Sequence, residues 1–584
     1  MDDVASSTTR RGLLATLGVG ASALAGCSER LWSQAETADS KQVSLTIKTI
    51  SADDDRLAAT IASRLRENYT AVGINATHET LPKAELYRDI LLEGEYDVFV
   101  IRHAGFDEYD ALYGLLHSNF YSERGWQNPF HFSDVTADNY LETQRAADGS
   151  KRSDALAALV EHLLQTTPYT AVAFPRTVSG VAEPLTVPTP LRRPHDYLEV
   201  MAHPENGPRD GPLEVGVFGE HLTEQRNPLT VDRNRIDGLL DLVYDPLVRR
   251  IDDEDVPWLA DDVEWTERGQ LRATVTLRPG LEWHDGEQLD VEDVAFTFSF
   301  LEDTSMDDVE SGVPAPRYRG RQTLLDRTEI PDDDDRTIDL YFVETSQPVA
   351  RRLLTIPLLP AHIWRERSAV VADRQTQALT DPNEDLVGSG LFAFSDATAG
   401  GMVELESFDA HVLREASDRP DVFEQFPRFD GLTFRISPNP GSMADSLVDG
   451  EIDVTASDLP PETARNVRNA PNTSTVSQST DAFYMIGYNS QQDDLGNPNF
   501  RRLCSRLVDR EHAVSEFFGG LARPATTPSE LVGIRDWDVD ADLESARVTE
   551  PLSFPGTAGE LDTSRVQSLF TEIGYSYEDD VLLE

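Results

Sequence analysis

Lysine is almost missing from this chain. Only Lys41, Lys48, Lys83 and Lys151 occur among 584 residues, so 47 of the 51 basic residues are Arg (51 − 4). Carboxylates are abundant: Asp plus Glu number 104, and the formal net charge is −53. A surface of that sign repels phosphate backbones and excludes nucleic acid as a partner. Acid excess with so little Lys is read as adaptation to concentrated salt. At about 1 M salt the Debye length falls to roughly 3 Å and self-repulsion is screened. Cysteine is equally scarce. Cys27 and Cys504 are the whole supply, too few for a disulfide framework or a Cys-rich metal site. Cys504, inside an amphipathic helical run, reads as a small core residue.

Long apolar runs are confined to the front of the chain. Residues 12–26 form a short run of Leu and small residues behind Thr9-Arg10-Arg11-Gly12, and the run ends in Leu24-Ala25-Gly26-Cys27. It is too short for a comfortable membrane span, and small residues before Cys27 suit a peptidase. Gly18 and Gly20 spell part of a phosphate loop, but they lie in the apolar run and follow no strand. No later stretch reaches about 18 apolar residues, so the remainder reads as soluble.

Motifs for catalysis are absent too. There is no His-Glu-x-x-His, no Gly-x-Ser-x-Gly elbow and no Walker loop. Gly388-Ser389-Gly390 lacks elbow spacing and reads as a turn; His284-Asp285-Gly286 reads likewise, since neighbouring side chains on a strand face opposite ways. His103, Asp107, Asp110 and His117 form the only loose group of metal-type residues, and a solvated helix start accounts for them better. Asp332 to Asp335 reads as an acidic loop without calcium-loop spacing. The expectation is a protein that is not an enzyme and carries no metal or cofactor.

What is present alternates strand and helix. Residues 43–49 have period two, 56–69 have helical spacing behind an acidic start, 73–77 and 96–101 read as strands, and 83–92 as a helix. Such a β-α-β-α-β run argues a mostly parallel sheet with covering helices. Helices follow at 110–118, 135–146 and 152–166. Seven prolines between 183 and 212 mark a linker. The pattern restarts at 213–218, continues with a helix at 236–244, and gives hairpin strands and then a helix within 258–300. Strand, helix and strand recur over 431–454, and 483–489 is another strand.

Residues 271–300 run Leu-Arg-Ala-Thr-Val-Thr-Leu-Arg-Pro-Gly-Leu-Glu-Trp-His-Asp-Gly-Glu-Gln-Leu-Asp-Val-Glu-Asp-Val-Ala-Phe-Thr-Phe-Ser-Phe. This segment resembles the extracellular solute-binding proteins of family 5, the peptide and nickel receptors of ABC importers. Further blocks resemble the family in order: Leu242-Val-Tyr-Asp-Pro-Leu-Val-Arg249, Ile356-Pro-Leu-Leu-Pro-Ala-His-Ile-Trp364, Val387-Gly-Ser-Gly-Leu-Phe392, Leu447-Val-Asp-Gly-Glu-Ile-Asp453, Tyr488-Asn489 with Phe500-Arg501-Arg502 and Asp509-Arg510, and Ile573-Gly574-Tyr575. The composition resembles that of haloarchaeal proteins. The first 26 residues resemble a twin-arginine lipoprotein signal, with Arg10 and Arg11 as its pair and Cys27 as the lipid-bearing residue; an ordinary cleaved signal is the alternative. Residues 27–42 would then be a tether.

The resemblance implies an α/β fold of the periplasmic-binding-protein-like type II class: two α/β lobes with a hinge, plus a small extra subdomain. It implies a monomeric receptor at the outer face of the membrane that delivers oligopeptides or dipeptides to an ABC permease. A hydrolase or sensor on the same scaffold, or a receptor for nickel, haem or another solute, is the alternative. In the family an acidic residue often meets the ligand's α-amino group. That role falls here on Asp107, with Asp110 as alternate; acids that merely begin a helix are the competing reading. Phe106 would form an aromatic wall, Arg102 meet a carboxylate, and Asn489 bond peptide backbone.

The order of the blocks carries a further expectation. Pieces that close the family's chain resemble the front of this one: residues 43–49, 71–74, 94–97 and 128–140. The chain looks circularly permuted. Residues 43–182 would be the second half of lobe II returning to lobe I, with 183–212 joining the ancestral ends. Lobe I would comprise 213–250 and 387–430, the subdomain and its connections 251–386, and the first half of lobe II 431–584. Residues 581–583 should then end beside residue 43, and 43–101 should share a sheet with strands from 431–489.

Overall fold

The computed structural model describes residues 41–584 except 107, 124, 126, 208, 210, 219–222, 224, 231–237, 252–253, 332–333, 373, 415, 417–418, 420–428 and 536–551. Arg10, Arg11, Cys27 and Asp107 therefore lie outside the described residues. In chain order the labelled elements begin with β1 (Ser44–Ile50), α1 (Arg56–Ala71), β2 (Asn75–Leu81), α2 (Lys83–Arg88) and β3 (Val98–His103). Three helices follow, α3 (Ala111–Leu116), α4 (Val135–Ala146) and α5 (Gly149–Thr166), then β4 (Tyr169–Ala171) and β5 (Ala173–Ala182). Next come α6 (Pro194–Ala202), β6 (Leu213–Phe218), α7 (Leu239–Val243), β7 (Ala260–Thr266), β8 (Arg272–Leu277), α8 (Val291–Glu302), α9 (Arg319–Gln322), β9 (Leu325–Glu329) and β10 (Thr337–Phe342). The later elements are β11 (Phe392–Thr398), β12 (Met402–Ser407), β13 (Gly431–Ser437), α10 (Pro440–Val448), β14 (Val454–Thr455) and α11 (Pro461–Asn469). The last labelled elements are β15 (Thr473–Ser479), β16 (Phe483–Tyr488), α12 (Pro498–Arg506), α13 (Arg510–Phe517), β17 (Ala522–Pro524) and α14 (Thr563–Glu572).

One lobe is built on a five-stranded sheet in the order β2-β1-β3-β16-β4. β1 runs parallel to β2 and β3, and β16 runs antiparallel to β3 and β4. The alternation of β1 explains its place: Leu45 and Ile47 are buried, while Ser44 between solvent and sheet is exposed. α1 starts where Asp55 accepts hydrogen bonds from the backbone N–H of Leu57 and Ala58 at 3.1 and 3.0 Å. Its Ala58, Ile61, Ala62, Leu65 and Tyr69 lie on one face and pack on the sheet. β3 and β16 sit in the middle of the sheet and are apolar on both faces. Gly487 lies opposite Phe99 across the strands, where a Cβ would come within 2.2 Å of the Phe99 ring. Only glycine leaves room there.

The other lobe carries an eight-stranded sheet, β11-β12-β13-β6-β14-β5-β15, with β17 pairing the first residues of β5. A four-stranded antiparallel sheet, β9-β10-β8-β7, backs onto it under α8 and shares its apolar core. Asp290 and Asp293 cap α8 reciprocally, and Asp293 also accepts from Trp283 Nε1 at 3.2 Å. The two lobes have separate cores. Residues 43–174 and 483–582 supply one, and residues from 178 to 476 supply the other clusters. The chain therefore crosses between the sheets at Val172, between β4 and β5, and at residues 480–482, between β15 and β16.

Several expectations shift against this architecture. The strands of 431–479 do not belong to the five-stranded lobe. β13 pairs in parallel with β6 over residues 432–437, which commits that stretch to the eight-stranded sheet, so among the strands of 431–489 it is β16 alone that shares a sheet with residues 43–101. The proline-rich 183–212 is more than a linker: it contains α6, whose Tyr197, Leu198, Val200 and Met201 are buried. Cys504 lies fully buried on α12. The His284-Asp285-Gly286 turn is a turn, with Gly286 at φ +85°. Residues 41–43 and 582–584 meet. Val43 N donates to Leu582 O at 3.0 Å, and Glu584 N donates to Lys41 O at 3.1 Å.

Candidate functional site

The lobes face each other across a cavity of about 400 Å³. Tyr87, Leu91, Asn119 and Glu123 line it from the five-stranded lobe, and Val313, Pro316, Arg319, Arg374 and Leu379 from the other side. Apolar wall and charged points coexist there. Arg319 reaches across the gap to Glu123, with Nη2 at 3.1 Å and Nε at 3.3 Å from the carboxylate. A two-nitrogen fork on one carboxylate fixes orientation as well as charge. Arg374, on the exposed strand pair at 370–376, adds positive charge at the rim.

Beside the cavity the lobes are tied by a second set of charges. Asp110 is fully buried and stands at the N-cap position of α3, yet its carboxylate makes no capping bond. Four donors take it instead: Arg145 Nε at 2.8 Å, Arg145 Nη2 at 2.9 Å, Gln144 Nε2 at 3.0 Å, and Arg352 Nη1 at 3.0 Å. The first three come from α4 of the same lobe, and Arg352 comes from the other. The carbonyl of Arg145 accepts from Ser346 N at 2.8 Å, which adds a backbone tie across the boundary. Asp110 was expected as an alternate amine contact or as a plain helix start. The structure gives it another job, because a carboxylate with four donors has no capacity left for a ligand amine.

A third tie lies near the chain crossings. Arg102, at the end of β3, donates to Asp458 of the other lobe at 2.6 Å, and Arg192 approaches the same carboxylate at 3.5 Å. Burial opposes charge on this carboxylate, but the two guanidinium groups outweigh it and hold Asp458 below the ordinary carboxylate range. Arg102 thus meets a carboxylate of the protein itself. Phe106 is buried with its ring 4.7 Å from His103 and 5.5 Å from Phe483, so it packs into an aromatic cluster of its own lobe and is not among the residues that line the cavity. Burial lowers His103 to about 4. Its Nδ1 accepts from Gly105 N at 3.0 Å, consistent with a neutral ring. Asn489 is used internally: its amide donates to Gly94 O and Tyr96 O at 3.1 and 2.9 Å, and its Oδ1 accepts from Gln491 N. His117 turns away from His103, toward Glu142 and Asp138. Among the described residues no group of three metal-type side chains converges.

Sequence reasoning did not find Glu123, Arg319, Arg145, Arg352 or Asp458. The partners are separated by 196, 242 and 356 positions, and no spacing rule spans such distances.

Two lobes with separate cores, two chain crossings and a mixed apolar and charged cavity between them define a two-lobed binding protein. The profile of "Bacterial extracellular solute-binding proteins, family 5 Middle" matches residues 254–582, more than half of the chain. The protein belongs to that family, and its α/β, two-lobed fold with a hinge is the type II binding-protein fold expected from the sequence. Among its relatives is the oligopeptide-binding protein AppA of Bacillus subtilis, 23% identical over 291 residues, which are 49% of this chain and 47% of AppA. The chain thus spans about half the length of this curated relative. Among solved structures it is similar to Bacillus subtilis AppA in complex with a nonapeptide (18% identity, TM-score 0.44, 64% of this chain and 66% of that one). It is also similar to Campylobacter jejuni NikZ in complex with Ni(L-His) (16% identity, TM-score 0.44, 64% and 65%).

Proposed function

We propose that this protein is the extracellular solute receptor of an ABC importer. It takes oligopeptides or dipeptides between its lobes and hands them to permease subunits in the membrane. The observation that carries the reading is the cavity of about 400 Å³ at the boundary of two separately cored lobes, joined at Val172 and residues 480–482. Hinge closure over a ligand needs that plan. Glu123 and Arg319, paired with each other across the gap, and Arg374 at the rim put both signs of charge at the cavity, and the two ends of a zwitterionic peptide would compete for that pair. Asp107, three residues before Asp110 in the sequence, is the amine contact in this reading, since Asp110 is engaged by Arg145 and Arg352. Twin-arginine export through Arg10 and Arg11, and lipid attachment at Cys27, would hold the receptor at the outer membrane face.

The chain order supports a related reading, that of a circular permutation within the family. Residues 41–43 hydrogen-bond to 582–584, and β1 to β3 complete the sheet that contains β16. Without residues 43–171 that sheet would keep β16 alone and expose it on both edges, an aggregation hazard.

Thermal melts in molar KCl test the function. A short peptide at 100 times its Kd should stabilise the protein by about 2.7 kcal/mol, by mass action. Asp107→Asn, or an acetylated peptide N-terminus, should weaken binding by roughly 2–5 kcal/mol. If a peptide library moves nothing while a nickel–histidine complex raises the melt, the peptide reading is wrong.

A further inference from the structure

Three Asn-x-Ser/Thr triplets occur in the chain, Asn68-Tyr69-Thr70, Asn75-Ala76-Thr77 and Asn472-Thr473-Ser474, and none has Pro in the middle. This is the acceptor pattern for N-linked sugar in exported proteins, and the transfer needs a carboxamide and a hydroxyl two residues on that can be reached together. The fold treats the three differently. Asn68 lies on the buried face of α1 with 5% of its surface exposed, and its Nδ2 donates to Leu507 O at 2.7 Å. Asn75 is exposed at the start of β2, but both polar groups of its triplet are engaged with β1. Asn75 Nδ2 donates to Ser44 Oγ at 3.1 Å, and Thr77 Oγ1 donates to Thr46 Oγ1 at 3.2 Å.

Asn472 is the exception. It sits in the turn between α11 and β15 with φ +59°, a backbone that Asn adopts more readily than most residues. Its main chain is anchored: the carbonyl accepts from Glu183 N at 2.9 Å, and the neighbouring Thr473 Oγ1 turns inward to Val467 O at 2.6 Å. The side chains on either side of Thr473 point the other way. Those of Asn472 and Ser474 are both exposed, and neither makes a hydrogen bond to the described residues. β15, which begins here, is the last strand of the eight-stranded sheet, with β5 as its one strand partner among the described residues. An open strand edge is a template for pairing with another chain. The concentrated salt that screens this chain's negative charge also removes the repulsion that would keep two such edges apart. A bulky neutral sugar at the start of the strand blocks the approach sterically, whatever the salt. Asn472 is not among the residues that line the inter-lobe cavity, so the ligand's site stays clear.

We propose that Asn472 is an N-glycosylation site whose sugar shields the open edge of β15; the inference rests on the export reading above. The donor is an oligosaccharide joined through phosphate to a membrane lipid. Asn472 Nδ2 bonds to the anomeric carbon, the bond from that carbon to the phosphate oxygen breaks, the phosphate leaves on its lipid, and one amide proton passes to a base of the transferase. Mass spectrometry of tryptic peptides tests the proposal on the full chain isolated from the membranes of its own cells. The peptide 469–501 should carry a mass increment that fragments as a ladder of sugar losses from Asn472, while the peptide 67–83, which holds Asn68 and Asn75, should show its bare mass. Asn472→Gln and Ser474→Ala should abolish the increment, and Ser474→Thr should keep it. Light scattering in molar KCl should show more self-association for Asn472→Gln than for the parent, and equal scattering overturns the shielding role. An increment on Asn68 or Asn75 instead, or one that survives Ser474→Ala, overturns the site. The first residue of the chain, read from the same digest, separates this from the export reading. An unmodified Asn472 in a chain that begins at Cys27 overturns the proposal and leaves export standing, whereas an unmodified chain that retains residues 1–26 overturns both.

Discussion

Replacing Arg352 with Met removes one of the four hydrogen bonds on the Asp110 carboxylate, and the one removed is the bond that crosses between lobes. Asp110 keeps both bonds from Arg145 and the one from Gln144, all within its own lobe. The lobe's own stability should therefore change little. What changes is the balance between closed and open lobes. A hydrogen bond between charged groups contributes about 1.5–3 kcal/mol. At 1.4 kcal/mol per factor of ten, its loss lowers the closed-to-open ratio by about 10- to 100-fold. Small-angle scattering of the ligand-free Arg352→Met protein should show a larger radius of gyration, and its peptide affinity should fall. Asp110→Ala makes the comparison. It strands Arg145 and Arg352 together in a buried place, where breaking an ion pair costs about 3–5 kcal/mol, and it should lower the unfolding midpoint in urea as well. If Arg352→Met lowers that midpoint as much as Asp110→Ala while its scattering curve stays at the parent's, the contact is a folding element and not a tie between lobes.

Two further outcomes are expected. His103 is held to about 4 by burial, against about 6.5 when unfolded, so the folded chain binds fewer protons in this window; stability should be lost as pH falls from 6.5 through 4, by up to about 3 kcal/mol, and urea midpoints of His103→Phe should lack that limb. A rearranged chain, with residue 584 joined to residue 41 by a short linker and new ends opened near Gly207, should fold with a urea midpoint close to the parent's, since Glu584 N already lies 3.1 Å from Lys41 O; failure of that chain to fold would refute the permuted order.

Local order was readable because local physics decides it. The period-two pattern of residues 43–49 and the helical spacing of 56–69 reappear as β1 and α1 within two residues, and the helix expected at 135–146 is α4 itself. Asp55 capping α1 is the kind of signal a sequence carries openly. Sheet membership was less legible. Over residues 431–437 the chain reads as a strand for either lobe, and the choice is made by parallel pairing with β6, more than 200 positions earlier. The same limit applies to the site. Phe106 was legible as an aromatic residue after a central strand, but its packing against His103 and Phe483 was not. The engagement of Asp110 was not, since its partners sit near the end of α4 and in a segment 242 residues away.

The arginines suggest where such information resides in an acid-rich chain. With 104 acids and 51 basic residues, carboxylates outnumber cations two to one, and the position of any one Asp or Glu says little. Cations are the scarce species, and a buried cation without compensation is costly, so a recessed Arg marks a place where the fold supplies an anion or, as at Arg501 and Arg510, a set of backbone carbonyls. At the lobe boundary these are Arg102, Arg145, Arg319 and Arg352, all facing carboxylates within 3.1 Å. For Arg102, Arg319 and Arg352 the anion belongs to the opposite lobe, so contact between the lobes is what satisfies them, whereas Arg145 is satisfied by Asp110 within its own lobe.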